Sequence, residues 1–188
     1  MTATVFRAPS SEADDRFSSS SLRLSLAPAG SAPALLDGAW WPRSRDLVAE
    51  LPPLTAVLDP LWGRITRVTV NPTQWPVVPR KVPVAGHVVN VGWFMAEQDP
   101  HELLLLSYHV GRFNLLVVPP RTTPDSAAWM MAAASDPRRT LTASRLLEEA
   151  TRLWAPRDAD RAAKAVWDSE GGYAARDLAA RRRTPMGR

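Results

Sequence analysis

Apolar and polar residues alternate strictly over Leu22-Arg23-Leu24-Ser25-Leu26, a period of two that predicts a first strand, ended by Pro28 and Gly30. Asp37-Gly38 follows as a turn dipeptide, because glycine accepts positive φ and aspartate bonds its own nearby backbone. Trp40 and Trp41 then stand side by side on an extended segment, so their indoles must leave opposite faces, one toward the core and one outward. Pro42 holds Trp41 out of helical angles, Ser44 occupies an N-cap position, and Leu47, Val48 and Leu51 open a helical face. This stretch predicts a strand-to-helix corner. Pro52-Pro53 in the helix interior predicts two short helices, or one broken helix, reaching Asp59-Pro60.

A β stretch from Arg64 to Val70 is stopped by Asn71-Pro72. Prolines punctuate the next segment, Pro76 to Pro83, which reads as an extended, exposed loop carrying Trp75 at its start. Val84 to Phe94 reads as the longest strand, with His87, Val89, Val91 and Trp93 on one face. Leu103 to Val110 and Phe113 to Val118 complete a three-stranded meander, the last an apolar run suited to a strand covered on both faces. Ala127, Ala128, Met130, Met131 and Ala134 predict a helix after Pro124. Leu146, Leu147, Ala150, Leu153 and Trp154 predict a second, starting near Thr142 or Ser144. The fold expected is α+β, an antiparallel sheet of about five strands with helices packed mainly on one face. Residues 1–21, rich in Ser, Ala, Asp and Glu, read as a disordered tail, 22–155 as a single domain, and 156–188 as a helical to disordered basic tail.

Composition narrows the chemistry. With no cysteine in 188 residues, disulfides, thiolate metal sites and cysteine nucleophiles are excluded. No apolar run approaches the roughly 18 residues of a membrane span, and the N-terminus has no signal-like hydrophobic stretch, so the location expected is cytoplasmic. The net charge of +4 invites a nucleic-acid reading until the charges are placed. Of 23 basic and 19 acidic side chains, five arginines and one aspartate lie from Arg176 onward, which leaves 18 of each sign in the other 175 residues. The basicity belongs to the tail, where weak nonspecific nucleic-acid binding is the only such contact expected. Lysine occurs only at Lys81 and Lys164.

Several motifs are long enough to be specific. Leu35-Leu36-Asp37-Gly38-Ala39-Trp40-Trp41-Pro42-Arg43-Ser44-Arg45-Asp46-Leu47, then Trp62-Gly63-Arg64-Ile65, Trp75-Pro76, the run from Gly86 through His87 and Asn90 to Phe94, and Leu115-Leu116-Val117-Val118-Pro119-Pro120 together resemble an uncharacterised family of actinobacterial proteins, a domain of unknown function. The resemblance runs from about Leu22 to about Ala143 and implies no reaction, cofactor or catalytic residue.

Candidate sites follow from register and context. A turn centred near Gln98 would set His87 opposite His109, and two imidazoles with a carboxylate can bind zinc. No acidic residue stands at ligand spacing, so an ordinary hydrogen-bonded rim pair is the preferred reading, with no metal and no cofactor. Trp40, Trp41, Trp62 and Trp93 read mostly as core. Trp75 beside Arg80 and Lys81 is either an exposed anchor or a ring folded back to cap the sheet. Ser44 and Ser107 lack a nucleophile elbow, and there is no Gly-rich phosphate loop. The favoured reading is a non-enzymatic module that binds a small molecule or a protein through Trp40, Trp41, Arg43 and Trp75. The rival is an enzyme of unrecognised type using His87 and His109 with Asp37, Arg43 or Asp46. Deleting Arg176 to Arg188 is expected to leave the melting temperature nearly unchanged and to remove whatever weak, salt-sensitive nucleic-acid binding the tail carries; thermal unfolding and a salt titration check both.

Overall fold

The computed structural model describes residues 22–96, 98–108, 111–155 and Lys164. Both tails expected from the sequence lie outside the described residues, Lys164 apart. Seven strands are described: β1 (Leu24–Leu26), β2 (Gly38–Trp40), β3 (Ile65–Val70), β4 (Lys81–Val84), β5 (His87–Trp93), β6 (Glu102–Ser107) and β7 (Arg112–Val117). Helix α1 (Leu47–Trp62) follows β2, α2 (Pro124–Ala134) follows β7, and a third helix, α3, covers 143–155.

The chain is α+β, but the sheet is larger than expected and mixed. Its order is β1-β2-β7-β6-β3-β5-β4. The β2/β7 and β3/β5 pairs are parallel, and the other neighbours are antiparallel. The meander fails at its first step, because β3 inserts between β5 and β6. What read as one strand from Val84 is a hairpin turned at Ala85-Gly86, with Val84 opposite His87. Gly86 takes φ 78°, a value few other residues adopt cheaply.

Helices cover both faces rather than mainly one. Trp40, Leu115 and Val117 join Leu47, Leu51, Leu54 and Leu58 of α1 in one core. On the other face Ala39, Leu116 and Val118 pack with Ala127 and Met130 of α2 and with Leu146 and Ala150 of α3. The apolar β7 run is thus covered on both sides, as its sequence suggested.

Helix α1 runs unbroken through Pro52, Pro53 and Pro60, contrary to the expected break. Each proline removes a backbone bond and crowds the preceding turn, a cost of about 3 kcal/mol or more in a helix interior. Four leucines on one face are each fully buried, and burying a leucine contributes about 1.5–3 kcal/mol, so packing offsets the strain. The cap also moves from the expected position. Asp46 is the N-cap and accepts the Val48 N–H at 2.9 Å. Ser44 donates its own N–H and hydroxyl to Glu50 Oε1, both at 2.8 Å.

Trp40 and Trp41 do leave opposite faces. Trp40 is fully buried against α1, whereas Trp41 is half-buried on the α2 side under the Arg23 guanidinium, 3.6 Å from its ring centroid. Replacing Trp40 with Ala is expected to cost ~3–5 kcal/mol. Trp41→Ala should cost less, since it loses partial burial and a cation–π contact of about 0.5–2 kcal/mol. Gly38→Ala should also destabilise measurably: φ is 153°, and an added Cβ would meet the Ser25 carbonyl oxygen and the Leu26 Cα of β1. Urea denaturation of the three variants checks the order.

Candidate functional site

Strand directions create one special edge. β2 and β7 run together, and so do β3 and β5, while β6 is antiparallel to both β7 and β3; all four therefore end on the same side. α1 and α2 start there, after β2 and β7 respectively. Ligands of open sheets containing parallel strands commonly sit in the crevice beyond the strands' carboxyl ends.

A cavity of about 530 Å³ opens between the segments that follow β2 and β7, lined by Arg43, Ser44, Arg45, Pro119, Pro120 and Arg121. A second hollow, about 220 Å³, shares Arg43 and is walled by Arg23, Trp40, Trp41 and Glu50. Arg23 Nε donates to the Trp41 carbonyl at 3.0 Å and one terminal nitrogen to the Pro42 carbonyl at 2.6 Å, which fixes the corner's exit. Burial, then the nearby Arg43 charge, pull Arg23 below the usual arginine range, with Glu50 opposing. Among the described residues no carboxylate forms an ion pair with Arg45 or Arg121. Arg45 instead reaches Gln74 Oε1 at 3.4 Å.

The same edge holds the unsatisfied polar groups. Trp40 Nε1, Trp41 Nε1, Gln98 Oε1, His101 Nδ1 and Thr123 Oγ1 are buried without a hydrogen-bond partner among the described residues. Two stand at the end of β2, two in the approach to β6, and Thr123 at the start of α2. Native structures hold few such groups, and their gathering at one place calls for an explanation. His101, not among the candidates the sequence supplied, stands in the turn that leads into β6. Its carbonyl accepts the Val117 N–H at 2.7 Å, which ties it to the end of β7.

The sequence-predicted residues separate. Trp40, Trp41 and Arg43 meet at this edge. Trp75 is not exposed: it is 4% accessible and stacks on Trp40, with centroids 5.8 Å apart and planes 17° from parallel. The loop that carries it is held down by Asn71, whose Oδ1 accepts from the Thr73 N–H and hydroxyl, and by a parallel bridge between Asp46 and Val77. Trp93, expected in the core, is 46% exposed instead.

His87 lies at the opposite edge, at the start of β5. Its Nε2–H donates to the Ile65 carbonyl at 2.7 Å, and Nδ1 is 3.7 Å from Asp59 Oδ2. His109 lies outside the described residues. The register that set the two histidines opposite each other is overturned, since β3 separates β5 from β6. Asp37 is structural: its carboxylate accepts the Asn114 N–H at 2.7 Å. Among the described residues no cluster of three His, Cys, Asp or Glu could hold a metal.

The sequence pattern of a family of unknown function, DUF5994, matches residues 23–134. The chain belongs to this family. No curated protein and no solved structure matches it. Among the described residues no helix is long and apolar enough to cross a membrane.

Burial holds His101 below the ordinary imidazole value, with Asp99 opposing and Arg45 reinforcing. The folded state therefore binds fewer protons here than the unfolded chain, so stability is full above about pH 6.5 and falls as the pH drops below it. His101→Gln is expected to flatten that part of the profile between pH 6.5 and 5, measured by urea denaturation of both proteins across the range.

Proposed function

We propose that this chain is a non-enzymatic binding module whose carboxyl-edge crevice holds a small anion, a phosphate or carboxylate compound, between Arg43, Arg45 and Arg121. The observation that carries the reading is the convergence, on one edge, of these guanidiniums with the buried polar atoms that lack partners. Guanidinium presents planar paired donors that match phosphate and carboxylate oxygens. Asp46 and Glu50 already accept hydrogen bonds from the corner, so they order it while leaving Arg45 and Arg121 without a carboxylate. The half-buried Trp41 and Arg23 form the apolar and cationic wall beyond Arg43, suited to a ligand with a flat body.

Thermal unfolding with inorganic phosphate, pyrophosphate and succinate tests it. A ligand present at 100 times its Kd adds about 2.7 kcal/mol, a rise of roughly 5–10 °C for a chain of this size. Arg43→Ala combined with Arg121→Ala should abolish the rise without lowering the melting temperature of the ligand-free protein by more than a degree or two, since exposed substitutions change stability by about 0.5 kcal/mol or less. An absence of response to all three anions, or an undiminished response in the double variant, would sink the reading.

A further inference from the structure

The second face of the sheet is only half covered. Helix α2 packs over β1, β2 and β7, and its apolar cluster with α3 includes Leu116 and Val118 but no residue of β3, β4 or β5. On those three strands one row runs across the open face: Arg67 of β3 stands beside Asn90 of β5, and Asn90 beside Lys81 of β4, all exposed. Val88 and Gly92 flank Asn90 on the same face, as alternation along β5 requires.

Two hollows meet at Asn90. One, about 350 Å³, is lined by Arg67, Arg80, Lys81, Gly92 and Trp93; the other, about 660 Å³, by Arg64, Thr66, His87, Val88 and Tyr108. Gly92 leaves a dip in the surface, because a side chain there would meet nothing nearer than Thr69 Oγ1 at 3.8 Å. The charge is segregated. From Pro60 to Ala96 the chain contains Arg64, Arg67, Arg80 and Lys81 and no acidic residue. None of these four cations is in an ion pair among the described residues. β6 adds one carboxylate, Glu102, and Arg112 pairs with it at 3.8 Å. Large rings mark both ends: Phe94, on the face of Val88, Asn90 and Gly92 by the same alternation, is 56% exposed and Tyr108 72%.

We infer that this open sheet face binds single-stranded nucleic acid. Sequence-tolerant single-strand binding combines a cationic track for phosphates with exposed aromatic rings on which bases stack, and this face supplies both. Val88 to Trp93 spans roughly 17 Å at strand spacing, the length of about five stacked nucleotides. Asn90, at the crossing of the two hollows, offers an amide for base edges. A duplex would meet the cations but leave Phe94 and Tyr108 without bases to stack on. The surface is independent of the arginine crevice, which lies at the carboxyl edge and is lined by other residues.

Fluorescence anisotropy of the full-length protein with a labelled oligo(dT) dodecamer is the test. Binding should persist when Arg181, Arg182 and Arg183 are changed to Gln, and weaken at least tenfold in Arg67→Ala with Lys81→Ala. The double variant should also make the slope of log K against log salt about 1.4 shallower. Phe94→Ala should weaken binding about fivefold or more with the salt slope unchanged, which separates stacking from charge. Arg67, Lys81 and Phe94 are exposed, so an unchanged circular dichroism spectrum and melting temperature are expected for their variants.

Four results would overturn the inference. Loss of binding in the tail variant alone would assign it to the tail. Equally tight binding of a poly-glutamate peptide would make the face a dock for acidic proteins. A dimer dissociated by Phe94→Ala, seen by sedimentation, would make it a contact between copies. Because Lys81 and Lys164 are the only lysines, an intramolecular amine cross-link between them would show that the chain's own C-terminal segment occupies the face.

Discussion

Parallel pairing of β2 with β7 is the constraint on which the rest depends. It joins Gly38 to Leu115 and Trp40 to Val117 across most of the domain, so every intervening element must fold before or around it. Asp37 and Asn114 lock the register: each backbone N–H is accepted by the other residue, Asp37 N–H by the Asn114 carbonyl and Asn114 N–H by the Asp37 carboxylate. Burial pushes the Asp37 carboxyl up, and the Asn114 N–H works against that shift. Gly38 lets β1 approach from the other side, where any larger residue would collide. With β2 so pinned, Trp40 is directed into the α1 core and Ala39 into the α2 core, and one three-residue strand serves both faces.

The corner and the candidate crevice are products of that arrangement. Since β2 and β7 run the same way, the segments leaving them emerge side by side, and Arg43 and Arg45 meet Arg121 although they are distant in sequence. Folding energy is concentrated just beneath, in the Trp40–Trp75 stack, where aromatic pairs contribute about 0.5–1.5 kcal/mol beyond their burial. The crevice above is polar and has few paired carboxylates. A packed floor under the cationic rim fixes the backbone that carries the guanidiniums, which would reduce the entropy lost on binding the proposed anion.

The open half of the second face has a different origin. α2 and α3 are held over β2 and β7 by small residues, Ala127, Ala133, Ala134, Ala143 and Ala150, which allow close approach but cover a narrow strip. Asp99 reinforces the placement by accepting from the Ser144 N–H and hydroxyl, at 2.9 and 2.6 Å. β3, β5 and β4 extend beyond this cover, and their solvent side carries cations, an amide and rings instead of an apolar layer.

Local patterns were legible in the sequence wherever the physics is local. Alternation at Leu22 to Leu26, opposite facing of Trp40 and Trp41, the helix after Pro124 and the two-faced burial of β7 all follow from side-chain periodicity within a few residues. Arg43 was a sequence candidate because it stands in a turn between a strand and a helix, and it lines the crevice there. Strand order was not legible, because pairing partners are chosen by loop paths and by competing long-range contacts. The insertion of β3 between β5 and β6 therefore dissolved the His87–His109 pairing. The two tryptophans were decided by the same cause: Asn71 and the Asp46–Val77 bridge fold Trp75 inward under α1, one of its two expected settings, while β5 carries Trp93, expected in the core, beyond the helix's cover. Periodicity tells which way a side chain points from its own backbone, and only the tertiary structure decides what stands opposite it.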